Sequence, residues 1–291
     1  MRGACRKLLV WTRMVKGAGP LRTPRSRRLP ELRPAPYAGL PAEGVSGPCS
    51  SNPATRAVAV TAAIQSGDVP GLRRLLDAHP GLAAGRIVRR GKGAGERSLL
   101  HIATDWPGRR PETARVIRTL VAAGADPAAR FVGAHAETPL HWATSNDDVE
   151  ALDALVAAGA DITAPGAVIG GGTPLADACA FGQWQVARRL LELGARPDLH
   201  EAAALGLLDR VTEYVTAGPP PADELTGAFW SACHGGQLST AHYLLSQKVD
   251  VDWIGYDDTT PLDIALTSAN ESLIDWLRSV GAHTRAELPP D

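Results

Sequence analysis

Apolar residues recur along most of the chain in a spacing typical of short helices. In the segment 138–143, which reads TPLHWA, Leu140 and Ala143 are three residues apart and so share one helical face. Thr138 can cap such a helix with its hydroxyl, and Pro139 suits the first helical position, where no backbone donor is lost. The pattern therefore predicts a short helix that begins at Pro139.

Related segments occur at seven places. The clear copies are SLLHIA at 98–103, TPLADA at 173–178 and TPLDIA at 260–265, and weaker copies begin at residues 58, 197 and 227. The seven starts, at 58, 98, 138, 173, 197, 227 and 260, are separated by 40, 40, 35, 24, 30 and 33 residues. Self-similarity at such a period is typical of stacked repeats.

Residues suited to ending a helix stand at a fixed place in these repeats. Nine residues after five of the starts come Gly67, Asp147, Gly182, Gly206 and Gly236. Glycine readily adopts the left-handed backbone that ends a helix, and Asp is a tolerable substitute. Apolar pairs such as Leu190 with Leu191 follow each turn and predict a second helix. Because one such pair could not bury its apolar face alone, we expect the pairs to stack.

The TPLHxA motif, a spacing near 33 residues and the glycines together resemble the ankyrin repeat. The resemblance covers residues 57–283 and implies an all-α solenoid of stacked helix-turn-helix units with short finger loops. We expect this domain to occupy residues 57–285 and a short frayed tail to occupy 286–291. Residues 105–112, DWPGRRPE, depart from the pattern by about five residues. They predict a bulge between the helices of the second repeat.

Residues 1–56 differ from the rest in charge and composition. They carry eleven Lys or Arg against Glu31 and Glu43, a net charge of +9, so the remaining residues carry −10 of the total of −1. A segment so rich in Arg, Pro and Gly buries too little apolar surface to order, and we expect a disordered basic arm. Since it lacks interleaved aromatics, we do not expect it to bind nucleic acid.

Cysteine and hydrophobic content indicate an ordinary cytoplasmic protein. Cys5, Cys49, Cys179 and Cys233 form no CxxC pair, so we expect reduced thiols and no metal or disulfide. No apolar run approaches the roughly 18 to 20 residues that span a bilayer, so we expect no membrane segment. The excess of Arg over Lys and the abundance of Ala favour a GC-rich bacterial source.

Three histidines occupy the fourth position of the repeat motif. The resemblance implies that His101, His141 and His200 form structural hydrogen bonds within and between turns. Histidines of separate repeats lie about 10 Å apart, too far to share a metal ion. We therefore predict no catalytic residue, no metal and no cofactor.

The resemblance also implies that a partner binds the concave face, built from the first helices and the fingers. The fifth residues of the motifs are the variable positions there: Ala62, Ile102, Trp142, Asp177, Glu201, Ser231 and Ile264. We expect Trp142 to be exposed and to act as a binding hot spot, with Ile102, Asp177, Phe181 and Glu201 around it. The alternative is that Trp142 packs on the next finger.

The fingers differ in charge. Residues 86–97 are mostly basic, and Arg89 and Arg90 there favour a partner with an acidic patch. Residues 250–258 carry four aspartates, among which Trp253 and Tyr256 either anchor a basic peptide or fix the finger to the last repeat.

Because the whole repeating segment is used for repeats, we predict a non-catalytic adaptor or scaffold. It would bind one protein partner and be a monomer by itself. The first alternative is a regulatory subunit that masks a partner enzyme, and the second is an enzyme. For an enzyme, the acidic finger is the only carboxylate cluster in the sequence that could supply catalytic groups.

Overall fold

The computed structural model describes residues 52–90, 94–168, 170–268 and 270–289. The chain divides into two units, residues 1–59 and 60–291. Most of the predicted basic arm lies outside the described residues. Within the first unit, a helix already begins at Pro53.

Within the described ranges, fourteen α-helices follow one another in seven pairs. They are α1 Pro53–Ser66, α2 Val69–Ala78, α3 Leu99–Thr104, α4 Thr113–Ala122, α5 Pro139–Ser145, α6 Val149–Ala157, α7 Pro174–Ala180, α8 Trp184–Glu192, α9 Leu199–Ala204, α10 Leu208–Ala217, α11 Ala222–His234, α12 Leu238–Leu245, α13 Pro261–Ser268 and α14 Glu271–Ser279. Two single 3₁₀ turns, Leu82–Ala84 and Tyr256–Asp258, lie between pairs. The predicted all-α array is confirmed.

Turn chemistry explains why each pair folds back on itself. The five residues predicted to end the first helices all have positive φ: Gly67 (72°), Asp147 (54°), Gly182 (64°), Gly206 (73°) and Gly236 (72°). The residue that follows can then cap the second helix. Asp148 does so for α6, where its carboxylate accepts a bond from the Ala151 N–H at 3.0 Å.

The pairs stack through their first helices. Helix α3 packs on α5, α5 on α7, α7 on α9, α9 on α11, and α11 on α13. The buried apolar residues nevertheless form two clusters, one from Val60 to Ala204 and the other from Leu199 to Ala282. They meet where only residues 193–198 join α8 to α9. Two acidic side chains, Asp177 and Glu201, are buried in the helices on either side of that boundary.

The first finger is a small β-sheet. Strand β1 (Arg86–Arg89) pairs antiparallel with β2 (Gly95–Ser98), and Glu96 of β2 also pairs with Val132 of the next finger. Opposite residues share a face, so Ile87, Arg97 and Phe131 line one side of the sheet. Val88, Glu96 and Val132 line the other.

The predicted bulge at residues 105–112 is fixed to its neighbours. The Arg109 N–H donates to Asp148 Oδ2 at 2.6 Å, and the Arg109 guanidinium binds the Asp147 carbonyl at 3.0 Å. Asp105 forms an ion pair with Arg97 at 2.8 Å. The extra residues therefore tie the second repeat to the third.

The chain end is held more firmly than expected. Glu287 accepts bonds from Arg278 at 2.7 Å and from the Thr284 N–H at 2.7 Å, and the Arg285 N–H donates to Asp263 at 2.8 Å. Glu287, which lies in the predicted tail, is thus bonded to α14 through Arg278.

Candidate functional site

Trp142 is not an exposed anchor. Its side chain is buried, with the residue only 9% exposed, and its Nε1–H donates to Glu137 Oε2 at 3.1 Å. Phe131 lies 5.7 Å away between ring centroids, and the Arg97 guanidinium lies 5.1 Å from the indole. The expectation of exposure is wrong, since Arg97 of β2 and the finger before α5 cover the ring.

Three other fifth-position candidates for the binding surface are also buried, which contradicts their expected place on it. Ile102 belongs to the first apolar cluster. Asp177 and Glu201 are buried within α7 and α9. Phe181, at the end of α7, is partly exposed. The fifth position faces inward in these repeats because fingers and neighbouring first helices cover it.

His101 and His141 have the structural role that the resemblance implies. The His101 Nδ1 accepts from the Ser98 N–H at 3.3 Å, and Nε2 lies 3.1 Å from the Glu137 carbonyl oxygen. Since Nδ1 accepts and a carbonyl can only accept, the ring is neutral with its proton on Nε2. The His141 Nδ1 accepts from the Thr138 N–H at 3.1 Å in the same way. Burial lowers the pKa of each histidine to about 4.

The same role is not played by His200. Helix α9 begins one residue later in its motif, with Asp198 as its N-cap, so Glu201 takes the third helical position. Glu201 Oε2 accepts from the Asp198 N–H at 2.8 Å, and Asp198 Oδ1 accepts from the Glu201 N–H at 2.8 Å. Burial and the nearby Asp198 charge raise the pKa of Glu201 to about 7.

An aromatic row crosses the C-terminal repeats and ends at the surface. Trp230 of α11 stacks on His234 at 5.4 Å and meets Tyr256 edge-on at 5.2 Å, and Trp253 also meets Tyr256 edge-on, at 5.9 Å. The Trp230 Nε1–H donates to the Thr259 carbonyl at 3.2 Å. Tyr256 is 49% exposed. These rings fix the finger to α11 of the preceding repeat, whereas the alternative for Trp253 and Tyr256 named the last repeat. The finger still presents an aromatic ring.

Sequence reasoning missed Trp230 and His234. Both lie on α11, four residues apart, which places them on one helical face. That spacing was a usable signal. Their contact with the last finger was not, because it depends on how the finger folds.

The remaining sequence candidates lie apart from this row. Arg89, at the end of β1, and Arg90, directly after it, are both exposed. The structure therefore does not bring the nine candidates together. It places Arg89 and Arg90 at the first finger, Trp253 and Tyr256 at the last, and Phe181 between them in the chain.

The two described cysteines are buried and free. Burial raises the pKa of Cys179, with a smaller contribution from the Glu201 charge, and burial alone raises that of Cys233. Since the thiolate is the reactive form, both are unreactive at neutral pH. No helix in the described ranges is long and apolar enough to cross a membrane.

Comparison with known proteins agrees with this geometry. Residues 114–200 match the family model of ankyrin repeats, in three copies. This segment consists of ankyrin repeats, as its motifs predict, and ankyrin repeats are protein-interaction modules. The crystal structure of the human ASB11 ankyrin repeat domain is similar, with a TM-score of 0.44 and 18% identity, over 80% of this chain and 99% of that one. No curated protein matches the sequence.

Proposed function

We propose that this protein binds a protein partner through its fingers and first helices, as a non-catalytic adaptor or scaffold in the cytoplasm. The observation that carries the proposal is the half-exposed ring of Tyr256, which contacts both Trp230 and Trp253. A large aromatic side chain already fixed in place loses little conformational entropy when a partner covers it. Tyrosine and tryptophan also dominate the energetics of protein interfaces.

Charge supports a basic partner surface at this place. Asp257 and Asp258 follow Tyr256 directly and are both exposed. The first finger has the opposite sign, with Arg89 and Arg90 exposed. A partner that contacts both fingers would present an acidic region to the first finger and a basic region to the last. This charge complementarity raises the rate of association.

The contact residues that we propose are accordingly Arg89, Arg90, Phe181, Trp253 and Tyr256.

The test is a capture experiment from the native lysate with three baits: the wild type, Tyr256→Ala, and Val280→Ala as a control. Val280 follows α14 and is an exposed apolar residue outside the fingers. We expect one protein to be retained by the wild type and by Val280→Ala but lost with Tyr256→Ala. Equal retention by all three baits would place the interface elsewhere. Assaying the partner's activity with and without this protein then separates masking from tethering.

A further inference from the structure

The sheet of the first finger has one open edge. Strand β2 lies in the middle, between β1 and the segment at Val132. Strand β1 is therefore the edge strand. Its residues are largely exposed, and Val88 at its centre is 61% exposed although it is apolar.

The backbone of Val88 faces the open side. Glu96 exchanges both of its backbone bonds with Val132, at 2.8 Å and 3.1 Å. In an antiparallel ladder, successive residues turn their backbone groups to opposite sides. The residues on either side of Glu96 therefore turn to β1 and bond the residues on either side of Val88. Val88, which stands opposite Glu96, directs its N–H and C=O away from the sheet.

The side chains around this edge are mostly cationic. Arg86 and Arg90 share the face of Val88, and Arg89 lies on the other face. All three arginines are exposed. Glu96 contributes one carboxylate on the Val88 face. A strand added beside β1 would thus meet guanidinium groups on both of its faces.

We propose that β1 binds an extended acidic segment of a partner protein as an added strand. Main-chain hydrogen bonds to Val88 supply affinity, and a small apolar residue of the segment packs beside the Val88 side chain. Carboxylates of the segment pair with Arg89 and Arg90 and select it over neutral or basic strands, whereas the Arg86 guanidinium already donates to the Arg130 carbonyl at 2.8 Å. This inference deepens the proposed function, because it names the chemistry of one partner segment, but it does not involve Tyr256.

The probe is a fluorescein-labelled peptide, Glu-Val-Glu-Val-Glu-Val-Glu, titrated into the full chain at low salt. Val88→Pro removes the outward N–H, and proline is tolerated at an edge strand where that group faces solvent. We expect Val88→Pro to bind the peptide about fivefold to tenfold more weakly, as the loss of one hydrogen bond implies. Val88→Thr keeps the N–H and the branched side chain, so its affinity should stay within about twofold of the wild type.

Two further peptides separate strand addition from simple charge attraction. A peptide of the same sequence, N-methylated at alternate residues, keeps every carboxylate. It lacks the backbone N–H groups on one side and cannot donate to β1 from that side, so we expect it to lose binding. The Lys-Val counterpart should not bind. Equal binding of the methylated peptide, or no binding of the acidic peptide to the wild type, would overturn the proposal.

A second measurement covers the case in which Val88→Pro disturbs the finger. In the wild type, hydrogen exchange of the Val88 amide should be fast in the free protein and slow once the acidic peptide is bound. An amide that exchanges at the same rate with and without bound peptide contradicts strand addition. Lysate capture through Tyr256 is unaffected by these results, so the two proposals fail independently.

Discussion

Glu201 and His141 make the same backbone contact in different repeats. Each is the third residue of a first helix, and each accepts a bond from the N–H of its N-cap residue, at 2.8 Å from Asp198 and at 3.1 Å from Thr138. Their protonation chemistry is opposite. A neutral histidine fits a buried site at neutral pH. A carboxyl group there either keeps its proton or, as a buried carboxylate, costs desolvation free energy.

Replacing Glu201 by glutamine should therefore stabilise the protein at high pH. The pKa of Glu201 rises from 4.5 in the unfolded chain to about 7 in the fold. The contribution of Glu201 to the free energy of unfolding is therefore full below pH 4.5 and is lost as the pH rises through 7. Glu201→Gln keeps the acceptor for the Asp198 N–H without the charge. We expect a gain of about 1 to 3 kcal/mol in unfolding free energy at pH 8 and little change at pH 5.

Denaturant unfolding at both pH values measures this effect. Glu213→Gln is the control, since Glu213 is an exposed glutamate paired with Arg210 on α10. A gain of equal size at pH 5 and pH 8 would show that the Glu201 charge is not its cause.

The histidines should destabilise the fold in acid. The pKa of His101 and that of His141 fall from 6.5 to about 4 on folding, so between these values the unfolded chain binds more protons. The contribution of the two neutral rings to the free energy of unfolding is full above pH 6.5 and is lost as the pH falls through 4. It amounts to at most about 3 kcal/mol for each ring. In the double variant His101→Gln, His141→Gln, the dependence of unfolding free energy on pH in this window should be shallower than in the wild type. If the slope of unfolding free energy against pH is the same in both proteins, the two histidines are not the cause of the acid sensitivity.

Trp142 should behave as a core residue. Trp142→Ala removes a buried indole and should cost about 3 to 5 kcal/mol. Trp142→Phe keeps most of the ring but leaves Glu137 without one donor, which should cost about 1 to 3 kcal/mol. Tyr256→Ala, at the exposed end of the aromatic row, should cost less than either. Chemical denaturation of the three variants tests this order, and a Trp142→Ala protein as stable as the wild type would contradict it.

Gly95 should be required for the first finger. It has φ of +155°, and a Cβ there would lie 2.3 Å from Phe131 Cζ and 2.6 Å from the Val132 carbonyl oxygen. Gly95→Ala should cost about 2 kcal/mol or more, because a carbonyl of the backbone cannot move aside cheaply. Gly159→Ala is the matched control, since Gly159 also has positive φ, of +92°, but open space around it. Thermal unfolding of both variants should show the larger loss for Gly95→Ala.

Helices were easier to predict from sequence than the surface they present. Motifs such as TPLHWA contain their own cap, first turn and inward-facing residues, so the local chain determines where α5 begins. Whether Trp142 is exposed depends instead on Phe131 and Arg97, which reach it from separate segments. The position of Glu201 was missed for a smaller reason: one extra residue before α9 moves the N-cap to Asp198 and changes which side chain turns inward.

The division of the apolar core also bears on how the chain is made. The first cluster contains no residue beyond Ala204, and the second runs from Leu199 to Ala282. The first four helix pairs and α9 can therefore complete the first cluster while the rest is still being translated. At about 5 to 20 residues per second, the ribosome needs several seconds more to deliver the second cluster. During that time the partly made chain exposes the apolar residues at the end of its first cluster, which α11 and the later helices have yet to cover.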